Sequence, residues 1–291
     1  VWLDPRDLKA RTVLAMAERI AGRLAEAQEH LDAVVLQAPV DYLALSEQSL
    51  TLKARSRGAE AARARDELWR LLAREPDSVL ELAFDYAAAG QNAEAGRVLE
   101  EAITRGGSYP MLHYALGYFY GLAGEQTRAA AQYARGTKGN PELVFPHRVE
   151  ELAVLAAARA SSPGDGRAAY YLGNALAARQ RTEEAIAAWR DAVRLDPANA
   201  VAHRNLAWAL GTFAGKKDEA LAEYERAISV APEEFHLCVE TDQLLAAMKA
   251  TERRIKLLSE APATVRARSI VIQALAAAYV DAGRFAEAAG L

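Results

Sequence analysis

A repeat with a period of about 34 residues constrains this chain more than any other feature. Each unit holds two Ala- and Leu-rich amphipathic segments. A fixed period in this range is typical of stacked helical hairpins, in which each unit packs only on its neighbours. The sequence therefore predicts an all-α solenoid rather than a closed globule around one catalytic pocket. A proline recurs in step with the units, at Pro39, Pro76, Pro141, Pro197 and Pro232.

The repeat positions have physical explanations. Gly117, Gly173 and Ala207 occupy the place where the first helix of a pair is expected to cross the second, and a small residue there lets the backbones approach closely. A proline cannot continue a helix, so we expect the recurring prolines to close the second helices. Glycines suit helix C-termini that need a positive φ. We place four in such positions: Gly22, Gly90, Gly124 and Gly283.

Several units share this register, and the chain thereby resembles the tetratricopeptide repeat (TPR) family along nearly its whole length. The resemblance implies antiparallel helix pairs stacked in a right-handed superhelix, with about six to seven pairs and one lone helix. We expect a single solenoid over residues 1–291, with a lone-helix insertion at residues 142–165. The predicted pairs are residues 8–41, 42–76 (degenerate), 77–109, 110–141, 166–199, 200–232 and 233–268 (degenerate). A truncated pair follows at residues 269–291.

Composition narrows the classes of partner. The net charge is −4 at pH 7, whereas a general nucleic-acid-binding domain is usually basic, so we expect no nucleic-acid partner. No apolar run reaches the ~18 residues needed to span a membrane, so we expect no membrane partner. The single cysteine, Cys238, cannot form an intrachain disulfide, and we expect it to be a small buried hydrophobic residue. Scarce cysteine is compatible with the cytoplasmic location that we predict.

The sequence contains no recognisable catalytic constellation. It lacks a Gly-rich phosphate loop, a His-Glu-x-x-His pair and a Ser/His/Asp arrangement in recognisable context. We therefore predict a non-enzymatic protein without catalytic residues, metal or cofactor. The histidines do not fall at metal-ligand spacing within one helix: His30, His113, His147, His203 and His236.

The resemblance also suggests where a ligand binds, because the first helices of TPR pairs line the concave groove. Aromatic faces offer stacking area at low entropy cost, and Arg and Asn offer fixed hydrogen-bond donors. We predict that a peptide or protein segment binds there, although the aromatics could serve only in packing between repeats. A clamp for a C-terminal carboxylate is incomplete, since a tyrosine replaces its expected lysine. The groove residues are Tyr114, Tyr118, Tyr170, Asn174, Arg204 and Trp208.

A second resemblance covers roughly residues 77–291. Residues 145–151, 170–174, 203–207 and 242–244 look like the TPR segment of large, uncharacterised bacterial proteins in which a mutarotase-like β-sandwich domain precedes the repeats. It implies an alternative function, the helical portion of a carbohydrate-active or carbohydrate-binding protein that packs on its own upstream domain. A polar site or domain interface would then comprise His147, Arg148, Glu150, Glu151, His203 and Asp242.

The two ends of the chain suggest a piece of a longer protein. Residues 1–5 resemble the end of a preceding unit, and the last pair stops within its second helix. Solenoids need capped ends for solubility, so an uncapped end could mediate homodimerisation. The apolar residues at this predicted edge are Ile270, Leu275, Tyr279 and Phe285.

Overall fold

The computed structural model describes residues 7–141 and 143–291, and these residues form α-helices without any β-strand. The helices follow one another in consecutive packed pairs, which confirms the prediction of an all-α, TPR-like helical repeat. Residues 1–5, with the predicted end of a preceding unit, lie outside the described part. The described residues belong to two compact units that divide between Asn140 and Pro141.

The first unit contains four helix pairs in its described part. Its first and third helices begin at aspartate N-caps, Asp7 and Asp41, whose side chains accept hydrogen bonds from backbone N–H groups of the first turn. A buried ion pair joins these helices, since Arg19 donates two hydrogen bonds to Glu47 at 2.7 and 3.0 Å. The helices are α1 (Leu8–Ile20), α2 (Leu24–Gln37), α3 (Tyr42–Ala54), α4 (Gly58–Leu72), α5 (Pro76–Ala88), α6 (Asn92–Thr104), α7 (Pro110–Leu122) and α8 (Gln126–Lys138).

The second unit begins with a non-helical stretch at residues 143–148, and α9 follows where the lone helix was predicted. Helix α9 packs against α10, and α10 and α12 each pack closely on the helix that follows them. The helices are α9 (Val149–Ser161), α10 (Gly166–Ala178), α11 (Thr182–Leu195), α12 (Ala200–Thr212), α13 (Lys217–Val230), α14 (Phe235–Ala247), α15 (Thr251–Glu260), α16 (Ala263–Arg266), α17 (Ser269–Asp281) and α18 (Phe285–Ala289).

Prolines and glycines mark the helix ends. Pro197 and Pro232 lie just beyond α11 and α13, as predicted. The same prediction is wrong for Pro76, which is the first residue of α5, because α4 has already ended at Leu72. A proline suits that position, where the backbone N–H would have no helical partner. The predicted positive φ is confirmed at Gly22, Gly90, Gly124 and Gly283.

The small residues of the repeat do lie at close helix crossings. A Cβ atom at Gly173 would lie 2.4 Å from the ring of Trp189 on α11. A Cβ atom at Gly117 would lie 2.6 Å from the ring of Tyr133 on α8. No real Cβ atom tolerates such distances, so both helix pairs depend on glycine at the crossing.

Candidate functional site

A cleft of about 590 Å³ opens between α12 and α14 in the second unit. Helix α12 lines it with Arg204, Trp208 and Thr212, which share one helix face because they lie four residues apart. Helix α14 lines it with Glu240 and Ala247, which lie seven residues apart and so also share a face. We call this site the α12–α14 cleft.

Contacts outside the cleft fix the positions of α12 and α14. Asn199 caps α12, and its side chain accepts a hydrogen bond from the Ala202 N–H at 3.0 Å. Helix α14 is joined to α15 because Arg254 donates to both carboxylate oxygens of Asp242, at 2.8 and 3.2 Å. One wall is therefore capped at its N-terminus, and the other is tied to the next helix along the chain.

A paired charge crosses the α12–α14 cleft. The Arg204 guanidinium donates to Glu240 from Nε at 2.8 Å and from Nη2 at 2.5 Å. This fork geometry is among the stronger hydrogen-bonded pairings in proteins. Hydrogen bonding to Glu240 raises the pKa of Arg204, and burial beside it raises the pKa of the Tyr224 hydroxyl. The cleft therefore contains the Arg204–Glu240 pair and, beside it, an uncharged Tyr224 hydroxyl.

An exposed aromatic pair stands at the rim. Trp208 is 47% exposed and Phe213 is 57% exposed. Their rings lie 5.0 Å apart between centroids and meet edge to face at 86°. Trp69 and Trp189, in contrast, are buried. Exposed aromatic side chains beside a polar cleft are typical of interaction surfaces.

Small residues keep the α12–α14 cleft open between its charged and aromatic walls. Ala207, Gly211 and Ala247 all line it. A Cβ atom added at Gly211 would make ordinary van der Waals contact with Ala220 at 3.5 Å and with Leu244 at 3.6 Å, so a single methyl group fits at this point. Lys217 lies at the end of the cleft, where its Nζ donates to the Ala247 carbonyl at 3.1 Å.

The predicted groove residues divide into two groups. Arg204 and Trp208 come together in the α12–α14 cleft, on the same face of α12. Tyr114 and Tyr170 do not line any surface, since both are buried, and this part of the prediction is corrected. Tyr114 packs on Tyr133 with ring centroids 6.3 Å apart, as the packing alternative anticipated. Tyr118 is partly buried against Phe119 in the first unit.

Asn174 is occupied by the chain itself. Its Nδ2 donates to the carbonyl of Val144 at 3.4 Å, and its Oδ1 accepts from Trp189 Nε1 at 3.0 Å and from Asn205 Nδ2 at 3.1 Å. Val144 belongs to the non-helical stretch before α9 and is buried. A segment of the same unit therefore lies over the part of α10 that was predicted to face a ligand.

Several residues of the predicted polar site make hydrogen bonds within the second unit. Glu151 is buried at the start of α9, where its Oε2 accepts from the N–H groups of His147 and Arg148, each at 2.7 Å. His203 is buried between Glu223, 2.6 Å from its Nδ1, and the Pro197 carbonyl, 3.1 Å from its Nε2.

The two remaining residues of that set are Asp242 and Glu150. Asp242 is paired with Arg254, as described above, and Glu150 is exposed on the first turn of α9. Helix capping and helix-to-helix ion pairs therefore explain ionisable groups at otherwise apolar repeat positions. The polar site or domain interface itself stays a prediction.

Sequence reasoning missed the α14 wall of the cleft. Glu240 and Gln243 line it, yet the pair 233–268 looked too degenerate to contribute. A signal was present, because Glu240 follows Arg204 by 36 residues, close to one repeat. Opposite charges at matching positions of successive first helices predict a pair across the groove.

The predicted dimer edge is only partly apolar surface. Ile270 and Phe285 are exposed, but Leu275 is buried and the ring of Tyr279 lies beneath the Arg284 guanidinium at 4.8 Å. Leu275 is thus corrected to a core residue, and dimerisation stays a prediction. Cys238 is buried, as predicted.

Two further properties of the described residues concern metal binding and membrane insertion. Among residues 7–141 and 143–291, no three His, Cys, Asp or Glu side chains are grouped so that they could hold a metal ion. In the same residues, no helix has the length and apolar character required to cross a membrane.

Comparison with protein families gives one match, between residues 173–211 and the TPR repeat model. These residues run from the second half of α10 through most of α12, and so they include Trp208. The match supports the resemblance of these residues to a TPR repeat. No curated protein matches the sequence. TPR repeats generally mediate protein–protein interaction and are generally non-enzymatic.

Proposed function

We propose that this chain is a non-enzymatic interaction scaffold that binds a peptide or protein segment in the α12–α14 cleft. The observation that carries the proposal is the exposed Trp208–Phe213 pair beside the closed Arg204–Glu240 pair. The general role of TPR repeats supports the class of partner. The scaffold would present one cleft of defined chemistry rather than an aromatic groove along many repeats.

The energetics of binding should centre on Trp208. Interface hot spots are enriched in Trp, Tyr and Arg, and truncation of one to alanine costs about 2 kcal/mol or more. Arg204 and Glu240 already satisfy each other, so a partner gains less by contacting them directly. Removal of the indole should therefore weaken binding by about 30-fold or more, since each 1.4 kcal/mol corresponds to about a factor of ten.

Capture from a lysate of the source cells, read by quantitative mass spectrometry, tests the proposal. The baits are the wild-type chain, Trp208→Ala, and Phe145→Ala as a control that removes an exposed aromatic ring outside the cleft. A partner captured by the wild type and by the control, but not by Trp208→Ala, would then be titrated by calorimetry. Equal capture by all three baits would contradict binding at this cleft.

A further inference from the structure

A cleft of about 410 Å³ in the first unit lies between α3, α4 and α6. Two second helices, α4 and α6, supply most of its walls, so it is distinct from the surface that successive first helices form. The buried side chains of Leu68, Trp69 and Val98 line it, and Ser46 and Ser49 add hydroxyl groups. A concave site of this size with mainly apolar walls and few polar groups is typical of small-molecule binding. We call this site the α3–α4–α6 cleft.

The α3–α4–α6 cleft lies where α4 departs from the repeat. Other second helices carry an alanine and, four residues later, a large buried side chain. On α4 the residue four positions after Ala61 is Arg65, whose side chain is 56% exposed and reaches Glu101 on α6 at 2.8 Å. The α3–α4 pair therefore lacks one large apolar side chain that the other pairs have. The corresponding side chains of α2, α6, α8, α11 and α13 are Leu31, Leu99, Tyr133, Trp189 and Tyr224.

The interior of the cleft favours an apolar ring over a polar group. Its two hydroxyl groups already take part in hydrogen bonds, since Ser49 donates to the Ala61 carbonyl at 3.0 Å and Ser46 accepts from Tyr86 at 2.7 Å. A polar ligand group would have to compete with these bonds, whereas an apolar ring gains from the burial of its surface. The large side chains at the corresponding repeat positions show the size of group that such a space accepts.

The charged residues of the cleft leave one cation open to a ligand. Arg65 pairs with Glu101, and Arg97 pairs with Glu94. Lys53 also lines the cleft, at the exposed end of α3, and its amine makes no ion pair within the part of the chain that the structure describes. An anionic substituent on a ligand ring would therefore find a partner in Lys53 without displacing either glutamate.

We propose that the α3–α4–α6 cleft binds a small aromatic carboxylate. The ring of the ligand packs among Leu68, Trp69 and Val98, where it replaces the large side chain that α4 lacks. The carboxylate of the ligand pairs with Lys53. This site belongs to the first unit and shares no residue with the α12–α14 cleft.

Calorimetric titration of the full chain with indolepropionate, whose ring is that of tryptophan, tests the inference. Arg65→Tyr restores a large side chain at the open repeat position, so this variant should fill the cleft itself. Arg70→Tyr is the matched control, because it places the same side chain at an exposed arginine of α4 outside the cleft. Lys53→Gln removes the charge, and each protein is also titrated with the uncharged indolepropionamide. Thermal unfolding of each variant checks that it is folded.

We expect the wild type and Arg70→Tyr to bind indolepropionate with equal affinity. Arg65→Tyr should bind it at least about tenfold more weakly, because the tyrosine ring takes the apolar space, and it should melt at a higher temperature than the wild type. The wild type should bind the carboxylate about two- to fivefold more tightly than the amide, as is typical of an exposed ion pair. Lys53→Gln should abolish this preference.

Other results would overturn the inference. The absence of saturable binding of indolepropionate to the wild type, up to the solubility limit of the ligand, would exclude the site. Equal binding by the wild type and Arg65→Tyr would exclude this location. A preference for the carboxylate that persists in Lys53→Gln, or that is absent from the wild type, would exclude the role of the lysine.

A second variant replaces Arg65→Tyr if that protein does not fold. Ala62→Trp adds a ring from the exposed wall of the cleft, and Ala59→Trp is its matched control at an exposed alanine of α4 outside the cleft. We expect Ala62→Trp to bind indolepropionate at least about tenfold more weakly than Ala59→Trp does. Equal affinity of the two variants would overturn the inference.

Discussion

Helices α10 and α12 carry equivalent repeat positions and use them differently. Counted from the small residue at the helix crossing, Tyr170 corresponds to Arg204, and Asn174 corresponds to Trp208. On α10 the tyrosine is buried and the asparagine holds the carbonyl of Val144. On α12 the arginine pairs with a carboxylate across a cleft, and the tryptophan is about half exposed to solvent. One face is closed by the chain itself, whereas the other is open.

The difference lies in what packs next to each helix. Helix α10 is preceded by the non-helical residues 143–147 and by α9, which packs on it. Helix α12 faces α14 across a gap, which is lined by Ala247 and by the small residues of α12. A repeat position therefore specifies which way a side chain points from its own helix. The neighbouring segment decides whether that direction leads into the core or into a cleft.

The largest expected change in stability comes from adding a methyl group at the helix crossing of α10, compared with adding one on α12. In Gly173→Ala the new methyl group would meet the buried ring of Trp189 at 2.4 Å, so we expect a loss of about 1–3 kcal/mol in the free energy of unfolding. In the matched variant Gly211→Ala the nearest neighbour is 3.5 Å away, and better helix propensity should stabilise by up to about 1 kcal/mol. Urea unfolding followed by circular dichroism measures both, and equal changes would contradict the account.

A somewhat smaller effect is expected from opening the closed face. Asn174→Ala removes the acceptor of Trp189 Nε1 and the donor to Val144, so we expect about 1–2 kcal/mol of destabilisation. The non-helical residues 143–147 should also become more accessible to thermolysin, because the hydrogen bond from Asn174 to the Val144 carbonyl is lost. Asn205→Ala is the control, since it leaves both of these contacts in place. Unchanged proteolysis of Asn174→Ala would show that the segment is held by other contacts.

The smallest expected effect concerns pH and the start of α9. Burial raises the pKa of Glu151, so the folded state binds its proton more tightly than the unfolded state does. The stability contributed by this group is fully present below its unfolded pKa and is lost as pH rises through the raised folded value. Glu151→Gln should remove this part of the pH dependence while its side-chain oxygen still accepts the backbone hydrogen bonds of residues 147 and 148. Chemical unfolding measures the free energy of unfolding of both proteins across acidic pH. If this free energy changes with pH in the same way in both, Glu151 does not contribute the expected pH dependence.

The sequence predicted the repeats well and the site only in part. The repeat positions for glycine, alanine and proline encode local geometry, so helix pairs, helix ends and the Gly173 crossing followed from them. Exposure depends on neighbours, and Tyr170 was therefore misplaced. Glu240 was missed because the degenerate pair hides its register. The non-helical residues 143–147 lie outside the repeat pattern, so the sequence did not predict their contact with α10. Their buried and exposed positions alternate.

The central claim is that α12 presents an open face where α10 presents a closed one. Acrylamide quenching of single-tryptophan proteins tests it most directly, with phenylalanine replacing the other three tryptophans so that only Trp208 or only Trp189 remains. The account predicts red-shifted, readily quenched emission from Trp208 and blue-shifted, protected emission from Trp189, which donates to Asn174. Equal protection of the two indoles would show that the α12–α14 cleft is closed in solution and would contradict the account.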